Sequence, residues 1–206
     1  ANLTFTVSDN FDVTTGIRYT DNDQDYTTTR YNPFLGRDIT DSASGGDSKF
    51  DYLASARWNA TDQTMFYARA ASGFRPGGPN PLRPGAIEAG AVAEYDPDSL
   101  WNYEVGVKSS SADRRYSFEA TLFYIDWSDI QLRSAVFTAS GPSFFIFNGD
   151  DAKSTGAELV FTAAPVDGLT AILNLGYTDA TLESDAPGLG GSAGDRLPNA
   201  PEWTFG

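Results

Sequence analysis

The stretch Tyr116–Tyr124 reads YSFEATLFY, and its residue pattern decides the fold class. Apolar side chains occupy every second position and alternate with Ser117, Glu119 and Thr121. Such alternation is typical of a β-strand with one apolar face and one polar face. At roughly 3.3 Å per residue and a tilt of about 40°, the stretch spans about 20 Å, close to the height of the apolar band of a transmembrane barrel. The two tyrosines are therefore predicted to lie at the two membrane interfaces.

The same alternation recurs along the chain, so the sequence is predicted to be all-β. It is found at 2–8, 11–20, 50–58, 66–72, 101–108, 157–163 and 170–177, and a last strand begins shortly before Gly206. The breaks near 9, 61, 111 and 166 are a few residues long, whereas those near 34, 85, 135 and 191 are much longer. This regular change between tight turns and long loops indicates an antiparallel meander of eight strands and the start of a ninth, as in a transmembrane β-barrel segment.

The loop lengths also predict which end of the strands faces the cell exterior. In outer-membrane barrels the periplasmic turns are short and the extracellular loops are long. The loops predicted to lie outside the cell are Asp21–Asp47, Gly73–Asp96 and Glu183–Ala200. A further connection is predicted at Ser128–Pro142, and it precedes one long strand whose later part is 157–163.

The alternation assigns strand residues either to lipid or to the barrel lumen. The residues predicted to face lipid are Trp101, Tyr103, Val105, Tyr116, Phe118, Leu122, Leu173 and Leu175. The residues predicted to face the lumen are Asn102, Glu104, Glu119 and Asn174. A soluble antiparallel sheet with one solvated face alternates in the same way, so the loop lengths distinguish the two.

The composition excludes several classes of function. The chain has 28 acidic and 14 basic residues, a net charge of −14, so binding to the phosphates of nucleic acid is not expected. It has no Cys and no His, which excludes a Cys/His zinc site and a Ser/His/Asp triad. Aromatic residues make up 14% of the chain, too many for a disordered acidic segment. No apolar run exceeds four residues, whereas a spanning helix needs about 20.

Five segments of the chain resemble the β-barrel of TonB-dependent outer-membrane receptors. They are Tyr67–Pro76 (YARAASGFRP), Leu100–Lys108 (LWNYEVGVK), Leu122–Gln131 (LFYIDWSDIQ), Asn148–Leu159 (NGDDAKSTGAEL) and Arg196–Trp203 (RLPNAPEW). Their order and spacing agree with the family and cover most of the chain from about residue 11 onward. The family more often has Asn-Ala-Gly where this chain has Asn148-Gly149-Asp150, a difference confined to a loop.

The resemblance implies a barrel of about 22 strands, of which this chain supplies eight or nine. It implies active import of a ferric siderophore or a similarly scarce nutrient across the bacterial outer membrane. The implied partners are outer-membrane lipid, a small-molecule ligand such as a ferric chelate, and the TonB complex, which acts through an N-terminal plug. Residues 1–206 are accordingly interpreted as a partial barrel without the plug domain and the remaining strands, and such a set of strands is not expected to close by itself.

Three arginines and one tryptophan are the candidate ligand-binding residues. Arg75 and Arg83 belong to the Gly/Pro-rich segment Gly73–Gly85, and Arg133 lies in the next predicted connection. In a chain this acidic, guanidinium groups would supply the contacts to an anionic ferric chelate. Trp127 lies near the base of a loop and would stack on the ligand. The alternative is that the arginines pair with loop acids and that Trp127 packs in the aromatic girdle or the loops.

No cofactor, metal or catalytic site is predicted. Asp21, Asp23 and Asp25 have the first spacings of a calcium loop, but Tyr26 and Asn32 stand where that loop has Gly and Glu. A glycosidase would need two carboxylates about 5 to 9.5 Å apart across a cleft, and no sequence feature indicates that geometry. Two alternatives remain open at this point. A soluble extracellular β-sandwich such as a lectin or adhesin domain would bury the apolar strand faces against a second sheet, and a passive porin would lack the five motifs.

Overall fold

A computed structural model describes residues 1–32, 36–186 and 190–206. Within these ranges the chain forms thirteen β-strands, and there is no helix long and apolar enough to cross a membrane. The all-β prediction is confirmed. The strands are β1 (Asn2–Ser8), β2 (Phe11–Asn32), β3 (Arg37–Asn59), β4 (Thr64–Arg75), β5 (Gly78–Pro79), β6 (Glu94–Tyr95), β7 (Asp98–Ser110), β8 (Tyr116–Ser128), β9 (Gln131–Thr138), β10 (Gly141–Asn148), β11 (Ala152–Val166), β12 (Leu169–Leu182) and β13 (Trp203–Phe205).

Nine of these strands form one antiparallel sheet, which we call the wall. Its strand order is β1-β2-β3-β4-β7-β8-β11-β12-β13. The prediction of eight strands and the start of a ninth is therefore confirmed, with β13 as the short ninth strand. In the part of the chain that the structure describes, β1 and β13 form opposite edges and do not pair with each other, so the wall is open rather than a closed barrel.

Tight turns join the strands at one end of the wall. They occupy residues 9–10, 60–63, 111–115 and 167–168. Gly168 has φ 82° in its two-residue turn, a left-handed conformation that costs glycine little. At the opposite end the connections from β4 to β7, from β8 to β11 and from β12 to β13 are long, as the sequence predicts.

The prediction of a loop at Asp21–Asp47 is wrong, because β2 and β3 continue as a two-stranded ribbon to the pair Asn32↔Arg37. Both faces of this ribbon are polar, so hydrophobic alternation could not reveal it. Hydroxyl pairs link the strands instead, including Thr29 to Thr40 with oxygens 3.0 Å apart. Cross-strand Thr pairs of this kind stabilise an antiparallel ladder without any apolar face.

The prediction that Ser128–Pro142 is a connection leading into one long strand is also wrong. Residues Gln131–Thr138 and Gly141–Asn148 form a separate hairpin, β9–β10, and β11 rejoins the wall only at Ala152. One face of this hairpin is buried among the other long loops, as Leu132 and Phe145 show. The hairpin therefore belongs to the loop assembly rather than to the wall.

The wall has one apolar face and one polar face. The eight residues predicted to face lipid are all exposed, at 39% to 59%, so no second sheet covers them. Aromatic rings contact one another across the strands on this face, as Trp101 does with Tyr52 at 6.5 Å and with Tyr103 at 6.1 Å between ring centroids. The β-sandwich alternative requires these side chains to be buried, and their exposure contradicts it.

The opposite face of the wall carries ion pairs between neighbouring strands. Lys108 of β7 lies 2.6 Å from Glu119 of β8, and Arg18 of β2 lies 2.7 Å from Asp51 of β3. The polar residues predicted to face the lumen lie on this face. The alternation thus separates a surface suited to lipid from a surface suited to water.

Candidate functional site

The long connections at one end of the wall pack together into a cap. We define the cap as residues 76–97, which join β4 to β7, and residues 129–151, which join β8 to β11. Phe145 of β10 is buried against Ala86 and Ala91 of the first segment, with Leu82 and Phe147 beside them. The cap therefore has a small hydrophobic core of its own, built from residues far apart in sequence.

Asn80 joins the first cap segment to β10 through side-chain hydrogen bonds. Its side chain donates from Nδ2 to the Ile146 carbonyl at 2.7 Å and accepts at Oδ1 from the Ile146 amide at 2.8 Å. Pro79 and Pro81 flank it, and proline has no N–H to contribute to a backbone ladder. The asparagine amide makes the pair of hydrogen bonds that a neighbouring strand would otherwise make.

Asn148 makes a second contact of the same kind. It donates from Nδ2 to the Asp96 carbonyl at 2.9 Å and accepts at Oδ1 from the Asp96 amide at 2.7 Å. The same Nδ2 also donates to the Asp129 carbonyl at 2.9 Å. Asn80 and Asn148 together join the two cap segments at two separated points.

Asp98 is the hub where the cap meets the wall. It is the first residue of β7 and is only 1% exposed. Its carboxylate accepts hydrogen bonds from Trp127 Nε1 at 3.0 Å, from the Gln131 amide at 3.1 Å and from Arg75 Nε at 2.9 Å, and the Arg75 guanidinium also forms an ion pair with it. The guanidinium lies 4.9 Å above the Trp127 ring, a cation–π distance. A buried carboxylate with this many donors is stable in its charged form.

The pKa of Asp98 reflects this environment. Asp98 lies three positions before Trp101, outside the apolar band of β7. Burial acts to raise its pKa, but the hydrogen bonds from Arg75, Gln131 and Trp127 act in the other direction and prevail. The net pKa lies below the ordinary value of 3.8, so the group is charged at neutral pH.

The four candidate ligand-binding residues fall into two groups. Arg75 and Trp127 meet at Asp98, which is the loop-acid pairing considered above as the alternative role for an arginine. Arg83 donates from Nη1 to the Ser140 carbonyl at 2.9 Å and from its backbone amide to Ser143 Oγ at 3.0 Å. Arg133 lies apart from these three, on β9.

Arg133 lies on the exposed face of the β9–β10 hairpin. Its guanidinium carbon is 4.8 Å from the centroid of the Phe144 ring, and within the described ranges this is the one polar or ring interaction of the side chain. Phe137 and Phe144 on the same face are 83% and 52% exposed. This face presents a guanidinium with free donors beside two exposed rings, which suits a ligand that combines negative charge with aromatic groups.

Sequence reasoning missed the residues that build the cap. Asp98 and Asn80 lie outside the five resembling segments, Asn148 and Gln131 stand at the ends of two of them, and none of the four was a candidate site residue. Local signals did exist: an asparagine between two prolines, and a Pro97–Asp98 pair immediately before an alternating strand. Their partners could not be read from the sequence, because the contacts described above join residues 19 to 66 positions apart.

A cavity of about 360 Å³ lies between the β2–β3 ribbon and the first cap segment. Its lining includes Tyr26, Thr28 and Arg30 from the ribbon and Arg83 and Glu88 from the cap. The three aspartates at 21, 23 and 25 follow one another on an extended strand rather than curling around a common centre. Among the described residues, no group of three or more acidic side chains lies close enough to hold a metal ion.

Comparison with known proteins gives a family match over the whole chain. A family model described as TonB dependent receptor-like β-barrel matches residues 1–206. The pesticin receptor of Yersinia pestis is 29% identical over 160 residues, which cover 77% of this chain and 22% of that protein. The pesticin receptor of Yersinia enterocolitica is 29% identical over 162 residues, with the same two shares. The chain thus spans about a fifth of the length of these curated relatives.

Two solved structures of similar fold are named as uptake or import receptors. The ferric yersiniabactin uptake receptor of Yersinia pestis matches 99% of this chain and 29% of its own, with a TM-score of 0.73 and 22% identity. The ferric-catecholate import receptor of Escherichia coli K12 matches 98% of this chain and 30% of its own, with a TM-score of 0.71 and 18% identity. These likenesses confirm the predicted barrel fold. The named relatives are receptors rather than enzymes, in agreement with the prediction that the chain is not catalytic.

Proposed function

This chain belongs to the family of TonB-dependent receptor β-barrels of the bacterial outer membrane, and from that premise we propose that its parent protein actively imports a ferric siderophore. The observation that carries the proposal is the family match over all of residues 1–206. Support for the ligand class comes from the relatives, two of which are named for ferric yersiniabactin and ferric catecholate. The proposed partners are membrane lipid at the apolar face of the wall, the ferric chelate at the cap, and the TonB complex through a plug domain outside this chain.

The exposed face of the β9–β10 hairpin supports the same ligand class. Arg133 offers guanidinium donors to the anionic groups of a chelate, and the neighbouring rings of Phe137 and Phe144 offer stacking surfaces. In this proposal Arg83 adds positive charge near the cavity between ribbon and cap. Arg75 and Trp127 contribute through the position of the cap, because their polar groups are engaged with Asp98.

Uptake by the full-length protein tests the proposal. We would express it in a Gram-negative strain that lacks its own siderophore receptors and measure radiolabelled iron supplied as ferric yersiniabactin or as a ferric catecholate. We expect accumulation of one of the two chelates, and we expect it to vanish in an otherwise identical strain without TonB. Accumulation that persists without TonB would instead identify a passive pore, and failure to accumulate either chelate would contradict the proposed ligand class.

Arg133→Gln tests the ligand-binding face. Loss of a charged hydrogen bond, typically about 1.5 to 3 kcal/mol, predicts an affinity lower by roughly tenfold or more at unchanged barrel yield. Arg114→Gln, in the turn at the far end of the wall, removes the same charge and is the matched control. Equal ligand affinity of the two variants would show that Arg133 does not bind the ligand.

A further inference from the structure

Asp98 connects four elements through side-chain contacts. It begins β7 and accepts hydrogen bonds from Arg75 at the end of β4, from Trp127 of β8 and from the first residue of β9, Gln131. The side chain of Gln131 in turn donates to the Pro76 carbonyl at 2.9 Å and to the Asp96 carbonyl at 3.1 Å. The bases of both cap segments therefore converge on one buried carboxylate.

The wall does not depend on this carboxylate for its own ladder. Arg75 and Asp98 are paired through the backbone in the β4–β7 register, and Leu100 pairs with Trp127 in the β7–β8 register. Replacing the Asp98 side chain leaves these backbone pairs available. Of the contacts made by the Asp98 side chain, the one to the Gln131 amide joins the wall to the β9–β10 hairpin, where that hairpin leaves the wall.

We propose that Asp98 is a positioning residue that fixes the tilt of the cap on the wall and so holds the Arg133–Phe144 face in its ligand-binding orientation. The second half of this inference rests on the function proposed above. A carboxylate suits the task because its two oxygens offer about four acceptor positions, and donors from β4, β8 and β9 occupy them together. Few other side chains could join three donors at one buried point.

The tilt can be measured as a distance in the full-length protein. Spin labels are attached to cysteines introduced at Ala139, at the exposed tip of β9–β10, and at Ala112, in an exposed turn at the far end of the wall. Any other accessible cysteine is removed first. We expect a narrow distance distribution in the parent protein and a clearly broadened or shifted one in Asp98→Asn.

Asp96→Asn is the matched control. It removes the same charge from an exposed side chain two residues away, while the Asn148 contact uses only the backbone of Asp96. We expect its distance distribution to equal that of the parent. Equal distributions in Asp98→Asn and Asp96→Asn would overturn the inference. If Asp98→Asn does not assemble, Arg75→Gln is the second test, because it keeps the carboxylate but removes its ion-pair partner. A broadened distance distribution in Arg75→Gln supports the inference, and an unchanged one overturns it.

Measuring the affinity for the ferric chelates distinguishes a failure of this inference from a failure of the proposed function. If the cap adopts its binding-competent tilt about one tenth of the time in Asp98→Asn, the affinity for ferric yersiniabactin or the ferric catecholate falls about tenfold. A parent protein that binds neither chelate would contradict the proposed function and leave the distance result standing. A broadened distribution with unchanged affinity would overturn the claim that the tilt sets ligand recognition.

Discussion

The wall and the cap are stabilised in opposite ways. The wall exposes its large apolar side chains on one face and relies on backbone ladders between neighbouring strands. The buried hydrophobic residues lie at the loop end, in two small clusters around Phe145 and Leu132. Lipid can replace a hydrophobic core for the wall, whereas the cap stands in water and needs a core and satisfied polar groups. Truncating a phenylalanine is therefore expected to cost more stability in the cap than in the wall.

The largest expected effect is that of truncating a phenylalanine in the cap. Phe145→Ala removes the centre of the cap core, a change that typically costs about 3 to 5 kcal/mol. Phe118→Ala, on the exposed face of the wall, should cost far less, because lipid fills the space. Limited proteolysis of intact cells should cut the cap of the first variant and spare that of the second. Equal protease resistance would show that the cap does not depend on its core.

A smaller effect is expected where the wall packs tightly. A Cβ on Gly106 would lie 2.5 Å from a ring carbon of Tyr67, whose hydroxyl bonds to Thr121 at 2.8 Å. Gly106→Ala is expected to cost about 1 to 3 kcal/mol through overpacking and to lower the temperature at which the folded barrel unfolds on a heated gel. Tyr67→Ala in the same chain should restore part of that loss, and the absence of any restoration would place the strain elsewhere.

Acid should loosen the cap before it affects the wall. The folded-state pKa of Asp98 lies below its ordinary value. The stabilisation that its charged carboxylate gives to the cap is therefore complete at pH values above the ordinary pKa, and it is lost as the pH falls through the folded-state pKa. The distance distribution between positions 112 and 139 should be unchanged from pH 7 to pH 5 and should broaden only below about pH 4. Asp98→Asn should be broad throughout. Broadening that begins near pH 6 would require a different titrating group.

The smallest effect is expected at the ion pairs of the polar face. Lys108 and Glu119 are both about half exposed, so their pair should contribute about 0 to 1 kcal/mol. A double-mutant cycle with Lys108→Gln and Glu119→Gln, read by heat-induced unfolding in detergent, should give a coupling energy in that range. A coupling above about 2 kcal/mol would show that this face is much drier than a water-filled lumen.

Sequence reasoning succeeded where a single physical rule acts on neighbouring residues. Period-two alternation predicted the strands of the wall and the face of each residue, because side chains on a strand alternate between lipid and water. It failed at the β2–β3 ribbon, where both faces are polar and hydroxyl pairs such as Thr29 and Thr40 replace hydrophobic contrast. It failed again at β9–β10, whose buried apolar residues pack on the first cap segment and on the ends of β11 and β12, far away in sequence.

The candidate site, too, was only partly predictable from the sequence. The sequence directed attention to Arg75 and Trp127, but it did not show that a buried aspartate engages both. It could not separate Arg133, whose guanidinium lies open on Phe144, from Arg75, whose guanidinium is paired with Asp98. The sequence around each arginine does not show which group its guanidinium contacts, so only spatial neighbours distinguish their roles.

The sequence by itself therefore determined the β class, the number of strands in the wall, the orientation of its faces and the end at which the long loops lie. These features follow from local alternation and from the lengths of the breaks. Only the tertiary structure decided that two long loops form one cap, that Asn80 and Asn148 join them, and that Asp98 anchors them. These contacts join residues 23 to 66 positions apart, and hydrogen bonds between such distant residues produce no periodic pattern in the sequence.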